Sequence, residues 1–258
     1  MKLMDDFIKN YGLEQFCKIF SDKHLTNLNL RNYNIGDKEV EIIVNNIQYL
    51  INLDLSYNYI SEKGAKIIAT ANTFKYLTYL NLCGNKFGNE GVKFIANFLK
   101  NSKSYLIQLD LSDNYIGDNG IKYIAESLKN NKSLILLSLH RNCISTIGIK
   151  YIADSLKTNK HLIDLDLGNN FIDDEGENFL IELLNINKSL INLNLCINKI
   201  TWKGHDQITE LLKNNMINKK RIENERIEEK IYLSFHYFAI EHWQFIEFFD
   251  QISINDYL

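Results

Sequence analysis

Leucines recur along most of this chain in a fixed arrangement that ends on an asparagine. In the unit that begins at Leu106, the following leucines are Leu109 and Leu111, and Asn114 closes the pattern. Six units share it, and their asparagines are 27, 29, 28, 28 and 28 residues apart. These asparagines are Asn58, Asn85, Asn114, Asn142, Asn170 and Asn198. Such a constant period predicts a solenoid in which each unit packs against its neighbours.

Each unit divides into a predicted strand and a predicted helix. The Leu-x-Leu pair alternates between two faces, as side chains of a strand do. In the second half of one unit, Gly120 is followed by Ile124 and Leu128, offsets that place apolar groups on one helical face. Asp118 and Asp174 come just before predicted helices. We expect each carboxylate to cap the free amides of the helix that it precedes.

The repeated unit, represented by residues 106–120 and five close copies, resembles the ribonuclease-inhibitor-type leucine-rich repeats. The resemblance covers roughly residues 24–216. It implies an α/β fold, a leucine-rich-repeat solenoid (horseshoe) with short parallel strands on the concave face and helices on the convex face. We expect helices to cap both ends, because terminal repeats otherwise expose their core.

The two ends depart from the repeat. A weaker first unit carries Leu25, Leu28 and Leu30, with Tyr33 in place of the asparagine, which makes seven repeats with the first degenerate. We therefore predict an N-terminal helical cap over 1–23, the leucine-rich-repeat domain over 24–216, and a charged, then aromatic-rich helical segment over 217–258. That last segment fits either a C-terminal cap or a helix that binds a partner or self-associates.

Positions between the leucines and just after them are predicted to face the concave side. The asparagines are not candidates there, because their amides are expected to bond neighbouring turns of backbone. Acidic and aromatic residues stand out at the remaining positions, and aromatic residues are enriched at binding hot spots. The candidate partner-binding residues are Asp54, Tyr57, Tyr79, Asp110, Tyr115, His140, Arg141, Asp164, Asp166 and Phe171. They predict a protein partner with basic residues, and the alternative is a merely solvated surface.

Charge and hydropathy narrow the classes of partner. The formal net charge is −3 and only four arginines occur, a balance that argues against nucleic-acid binding. The longest apolar region, 231–249, is interrupted by polar side chains and is not expected to span a membrane. The first ten residues lack the apolar run of a signal peptide. We therefore expect a cytoplasmic protein, or one in a host cytoplasm if it is an exported effector.

Residues that carry chemistry are sparse in the sequence. None of the four cysteines forms a C-x-x-C pair, and no histidine has metal-binding spacing. Cys83 and Cys196 occupy equivalent strand positions four repeats apart, roughly 19 Å at the usual strand spacing, so free thiols are expected. Asn131 and Asn187 match the glycosylation sequon, which we interpret as incidental. We expect no cofactor, no metal site and no enzymatic activity.

These patterns favour a protein–protein interaction module that binds a macromolecular partner on its concave face, as a scaffold, sensor or microbial effector. The alternative is a GTPase-activating protein, since Ran GTPase activators are similar solenoids. Arg31 and Arg141 are the arginines at concave or edge positions. The long arginine-bearing loop and the strongly acidic tail of that family are missing, which weighs against the alternative.

Overall fold

A computed structural model describes residues 8, 12–20, 25–100, 105–201 and 204–220. The strands are β1 (Asn27–Asn29), β2 (Asn52–Asp54), β3 (Tyr79–Asn81), β4 (Gln108–Asp110), β5 (Leu136–Ser138), β6 (Asp164–Asp166) and β7 (Asn192–Asn194). The helices are α1 (Leu13–Phe20), α2 (Asp37–Asn46), α3 (Glu62–Thr70), α4 (Gly88–Lys100), α5 (Asp118–Leu128), α6 (Thr146–Leu156), α7 (Asp174–Ile186) and α8 (His205–Lys220). A 3-10 turn, Asn72–Phe74, lies between α3 and β3.

The strands form one open parallel sheet in sequence order, β1 to β7, with a helix after each strand. Each strand pairs its middle leucine with the middle leucine of the next, as Leu28 does with Leu53. The predicted α/β leucine-rich-repeat solenoid is therefore confirmed. The degenerate first repeat takes part as well, since β1 pairs with β2 along its whole length.

The core lies between the sheet and the helices. The middle leucine of β2, Leu53, is fully buried, and so are Leu55 after the strand and Ile68 on the helix that follows. Equivalent positions in later repeats join them in one hydrophobic cluster. Burial of a single Leu or Ile side chain stabilises the fold by about 1.5–3 kcal/mol. Stacking is needed for this gain, because one strand and one helix cannot enclose these side chains alone.

The asparagine that closes each repeat bonds the backbone of its neighbour, as predicted. Asn170 donates through Nδ2 to the carbonyls of Leu139 and Leu167, both at 3.0 Å. Its Oδ1 accepts from the N–H groups of Asn142 and Ile144 at 3.2 and 3.1 Å. One buried side chain thus satisfies four backbone groups that the turn after the strand would leave without partners.

The helix-start aspartates cap a different helix from the one predicted. Asp118 lies in the first turn of α5 and bonds α6, accepting from Ser145 N at 2.9 Å and Gly148 N at 3.0 Å. Asp174 of α7 likewise accepts from Thr201 N at 2.7 Å, in the next repeat. The prediction that these carboxylates cap their own helices was wrong. Stacking brings each carboxylate to the backbone of the next repeat, where Asp118 caps the first amides of α6 and Asp174 bonds the turn before α8.

This capping also explains a glycine inside a helix. A Cβ on Gly148 would lie 2.5 Å from Asp118 Oδ1 and 2.8 Å from Ile144 Cγ2. The carboxylate and the packed isoleucine leave no room for a side chain. The glycine therefore permits the close approach between consecutive repeats that capping requires.

A second asparagine ladder, absent from our sequence-based expectations, lies after the helices. Asn159 donates to Leu128 O at 2.6 Å and Asn131 O at 3.1 Å, and its Oδ1 accepts from Leu162 N at 2.9 Å. The ladder consists of Asn131, Asn159, Asn187 and Asn215, all buried. Both sequon asparagines belong to it, so they have a structural role. The 28-residue spacing was the signal in the sequence.

At the N-terminal end, Phe16 and Cys17 of α1 are buried in the same hydrophobic cluster as the first repeats. Contacts between residues divide the chain into two compact units, Met1–Asn218 and Lys219–Leu258. The predicted boundary at residue 23 and the proposed roles of 221–258 lie outside the described residues. No helix in the described part of the chain is long and apolar enough to cross a bilayer.

Candidate functional site

The side of the sheet opposite the helices, here called the strand face, presents the first and third residue of every strand. The middle residue points into the core, which the alternation along β4 illustrates: Gln108 and Asp110 are half-exposed and Leu109 is buried. Side chains of equivalent positions lie in rows that cross the sheet, about 4.8 Å apart from strand to strand.

The ten predicted partner-binding residues occupy several of these rows. Tyr79 and Asp164 are first strand residues, whereas Asp54, Asp110 and Asp166 are third strand residues. His140 follows β5 by two residues, and Arg141 follows it by three, as Tyr57 follows β2. Tyr115 and Phe171 lie five residues after their strands. The structure brings Asp110, Asp164, Asp166 and His140 together and leaves Tyr115 and Phe171 along the loop edge.

Three aspartates line a depression over β4, β5 and β6, here called the acidic depression. Asp110, Asp164 and Asp166 contribute their carboxylates. The remaining lining residues are Gln108, Leu109, Leu136, Leu137 and Ser138. The depression therefore combines negative charge at its sides with a partly exposed leucine, Leu136, on the central strand.

The third strand residue has a local structural role that needs no charge. Asp110 accepts through Oδ1 from Ser112 N at 2.9 Å, and Asp166 accepts from Gly168 N at 2.8 Å. Asn81 makes the same bond to Cys83 N at 3.0 Å. Since an asparagine ends the strand as well as an aspartate does, the turn requires only an acceptor oxygen. The negative charge at Asp110 and Asp166 is additional to what the fold demands.

These charges lack cationic neighbours among the residues that the structure describes. No Lys or Arg nitrogen lies within 4.0 Å of the carboxylates of Asp54, Asp110 or Asp164. The nearest titratable partner of Asp166 is His140, with 3.5 Å between Nδ1 and Oδ1. Asn192 and Asn194 of β7 donate to Asp164 and Asp166 at 3.0 Å. The aspartates are thus held in place by neutral donors and keep their charge uncompensated.

A glycine shapes the side of this depression next to β7. A Cβ on Gly168 would lie 2.8 Å from His140 Nδ1, 2.9 Å from Asn194 Nδ2 and 3.1 Å from Asp166 Oδ1. These three side chains occupy the space that a larger residue would fill. Gly168 therefore allows the imidazole and the carboxylate to approach each other.

The strand face over β1, β2 and β3 has a different chemistry, here called the aromatic half. The guanidinium of Arg31 lies 4.3 Å from the centroid of the Tyr57 ring, a favourable cation–π distance. A Cβ on Gly84 would lie 2.8 Å from Tyr57 Cδ1, so only a glycine accommodates the ring there. The Cys83 side chain bonds the Tyr57 hydroxyl and thereby raises the pKa of the tyrosine.

Two further side chains of the aromatic half, Cys83 and Tyr79, are buried or partly buried. Burial raises the pKa of the Cys83 thiol, and the nearby Asp110 carboxylate raises it further. Burial also raises the pKa of Tyr79, whose hydroxyl lies 3.3 Å from Asn81 Nδ2. The polar groups of the aromatic half therefore pair mainly with one another.

A row of exposed aromatic residues follows the buried asparagines along the loop edge. Tyr115 is 66 % exposed and Phe171 is 49 % exposed. Tyr59 is 58 % exposed at the equivalent position and was missing from our prediction, although it follows Asn58 as Tyr115 follows Asn114. Lysines cover two of the rings, with Lys86 Nζ 5.3 Å from Tyr59 and Lys199 Nζ 5.0 Å from Phe171. Arg31, which the sequence places at a concave or edge position, stacks on Tyr57 of the strand face.

The described cysteines are free thiols, as expected. Cys17 and Cys83 are buried, and Cys143 and Cys196 are exposed. Burial raises the pKa of Cys17 to about 11. Within the described ranges, no group of three or more His, Cys, Asp or Glu side chains has the arrangement of a metal site.

Comparison with known proteins supports the repeat assignment. The family model described as Leucine Rich repeat matches residues 75–96, 102–125 and 158–176. These matches fall on the α/β units described above, and the chain contains leucine-rich repeats. No curated protein matches the sequence.

Several solved structures are similar in fold. Actin-Binding Site 2 of leiomodin-1 is 18% identical, with a TM-score of 0.46, over 84% of this chain and 94% of that one. An internalin from Listeria monocytogenes is 22% identical with a TM-score of 0.48 over 75% of this chain, which spans 55% of the internalin. The tropomodulin C-terminal domain from Caenorhabditis elegans is 12% identical with a TM-score of 0.43, over 83% and 98% of the two chains.

Proposed function

We propose that this protein is a binding module that takes a protein partner on its strand face, and that the partner places Lys or Arg side chains in the acidic depression. A protein of this kind acts as a scaffold or a sensor and is not an enzyme. The observation that carries the proposal is the surplus charge of Asp110 and Asp166. Each forms a turn that asparagine forms equally well at Asn81 and Asn194.

Electrostatics explains why such a surface favours basic segments. Three carboxylates on β4 and β6, on either side of β5, have no described lysine or arginine at contact distance and create a negative potential that a cationic chain relieves. Complementary charge of this kind accelerates association and excludes acidic partners. Leu136, half-exposed on the central strand, offers apolar contact for the stem of a long basic side chain.

We also infer that the repeats are of the ribonuclease-inhibitor type. A helix follows each of the seven strands, and the asparagine period stays close to 28 residues. A cytoplasmic location remains a proposal that rests on the sequence alone.

GTPase activation is not favoured by the geometry of Arg31 and Arg141, the arginines within the described residues. Arg31 stacks on Tyr57, and Arg141 Nε lies 3.6 Å from Asp113 Oδ1. An arginine finger must instead reach the transferred phosphoryl group of another protein. A GTPase assay with the purified chain checks this, and we expect no stimulation of hydrolysis.

The experiment that tests the proposal is selection from a random-peptide phage library on the purified full chain. We expect the recovered peptides to be enriched in Lys and Arg. The triple variant Asp110→Asn, Asp164→Asn, Asp166→Asn should bind them roughly tenfold more weakly, because each lost surface charge pair contributes about 0.2–1 kcal/mol. Affinity is measured by fluorescence anisotropy at two salt concentrations.

The matched control changes the same amount of charge on the helices: Glu90→Gln, Asp154→Asn, Glu182→Gln. These residues are exposed on α4, α6 and α7. The control should leave peptide affinity unchanged. Selected peptides without basic residues, or equal losses in both triple variants, would contradict the proposed site.

A further inference from the structure

The asparagine ladder that follows the strands has one defect, between the third and fourth repeats. In the regular repeats the ladder asparagine accepts backbone N–H groups of the preceding repeat, as Asn142 Oδ1 does from Asn114 N and Ile116 N, both at 3.0 Å. Asn114 is fully buried, yet its Oδ1 has no hydrogen-bond partner. Its Nδ2 still donates to Leu82 O at 2.9 Å, so half of the bonding remains.

The sequence explains why the acceptor is left alone. The step from Asn85 to Asn114 is 29 residues, the longest in the series. The loop before α4 contains Gly84 and Gly88, both with positive φ, at 67° and 59°. Gly88 N bonds the backbone carbonyl of Asn114 at 3.0 Å. The extra residue therefore redirects the loop and takes its amides away from the side chain of Asn114.

The relay of helix caps is interrupted on the other side of the same repeat, where α3 of the second repeat meets α4 of the third. Asp37 caps α3 through Gly64 N at 2.9 Å, Asn89 caps α5 through Gly120 N at 3.1 Å, and Asp118 caps α6. The corresponding residue of α3 is Glu62, and no side chain in the described repeats bonds the first amides of α4. Residues 85–91 of the third repeat thus lack two contacts: one with the ladder asparagine of the fourth repeat and one with a capping side chain of the second repeat.

From these features we propose that residues 85–91, which form the turn after β3 and the start of α4, are a built-in opening point of the solenoid. The backbone ladder stays continuous there, with Leu82 N to Asp110 O at 2.9 Å and Gly84 N to Ser112 O at 2.9 Å. The sheet therefore holds while the loop and the start of α4 open locally. This point lies where the aromatic half meets the acidic depression.

Hydrogen exchange of the full chain, followed by mass spectrometry, tests this proposal. Protection factors are compared for residues 85–91, 114–120 and 142–148, which are equivalent segments of consecutive repeats. We expect 85–91 to be about tenfold less protected, the ratio that corresponds to ~1.4 kcal/mol. Equal or higher protection of 85–91 overturns the proposal.

A pair of variants tests the cause. Asp118→Ala removes the cap from α6 and should lower protection of residues 145–148 about fivefold to tenfold. Asp118→Asn keeps an acceptor oxygen, as Asn89 does naturally, and should leave protection unchanged. If Asp118→Ala leaves protection unchanged, the missing cap does not create an opening point and the proposal fails. If that variant does not fold, the comparison within the natural chain decides the outcome.

Discussion

The aromatic half and the acidic depression are built on repeats of the same type, but they differ in how their polar groups are satisfied. Over β1 to β3, Arg31 stacks on Tyr57 and the tyrosine hydroxyl bonds Cys83. Over β4 to β6, Asp110 and Asp164 keep charges that no described lysine or arginine contacts. The first surface is largely self-paired apart from the Asp54 carboxylate, whereas the second gathers three carboxylates that a partner can neutralise.

The difference shows which positions of a repeat are constrained and which are free. Buried leucines and ladder asparagines recur because every repeat needs the same apolar contacts and the same backbone acceptors. The third strand residue needs only one oxygen, so Asp and Asn alternate there without harm to the fold. Function can therefore vary along the strand face while the scaffold stays constant.

The largest expected effect is on the free energy of unfolding, when a ladder asparagine is replaced in a regular repeat (Asn170) or at the defect (Asn114). Asn170→Ala removes five bonds to the backbone and should lower the free energy of unfolding by about 3 kcal/mol, because buried groups lose their partners. Asn114→Ala should cost about 1 kcal/mol less, since its Oδ1 bonds nothing. Urea unfolding measures both losses as shifts of the midpoint, provided that the urea dependence of the free energy of unfolding is the same for all variants. Equal losses would contradict the defect.

The aromatic half and the last repeat should also differ in thiol reactivity at equivalent positions. Cys196 is exposed, whereas Cys83 is buried, which raises the pKa of its thiol. We expect Cys196 to react with iodoacetamide at pH 8 on the order of 100-fold faster, because the thiolate must be present and accessible. Peptide mass spectrometry after timed quenching measures each rate. Tyr57→Ala should accelerate the labelling of Cys83 and leave that of Cys196 unchanged.

A smaller effect is expected from neutralising the acidic depression. Asp110→Asn should change the free energy of unfolding by less than about 0.5 kcal/mol, since the amide oxygen still accepts from Ser112 N. Asp110→Ala should cost about 1 kcal/mol, because that amide loses its acceptor. Thermal and urea unfolding compare the two. An Asn variant as unstable as the Ala variant would mean that the turn needs charge.

The smallest expected effect is the change in stability at acidic pH that is due to Asp173, the N-cap residue of α7. The Thr146 hydroxyl and then the Gly176 N–H lower the pKa of the Asp173 carboxyl below its ordinary value of 3.8. A lowered folded pKa stabilises the protein above the unfolded pKa, and the gain is lost as pH falls through the folded value. The stability difference between the natural chain and Asp173→Asn should therefore shrink below about pH 4. Urea midpoints at pH 7, 5 and 3 measure it.

Most of the fold was predictable because its causes are local and repeated. The spacing of Leu106, Leu109 and Leu111 requires a strand with one buried face, and the 28-residue period places the next strand beside it. The role of the ladder asparagines followed from the same period. The ten candidate residues stay a prediction, and the structure adds that they occupy different rows and that Tyr59 is exposed in the same row as Tyr115.

By itself, the sequence determined the repeat number, the strand register and the identity of the buried leucines, because those depend on spacing within 28 residues. Tertiary structure decided which helix Asp118 caps, which asparagines form the second ladder, and which aspartates share one depression. Those contacts join residues about one repeat apart, such as Asp118 and Gly148. Only stacking of the repeats brings such pairs together, and a single extra residue before Asn114 was enough to remove one of them.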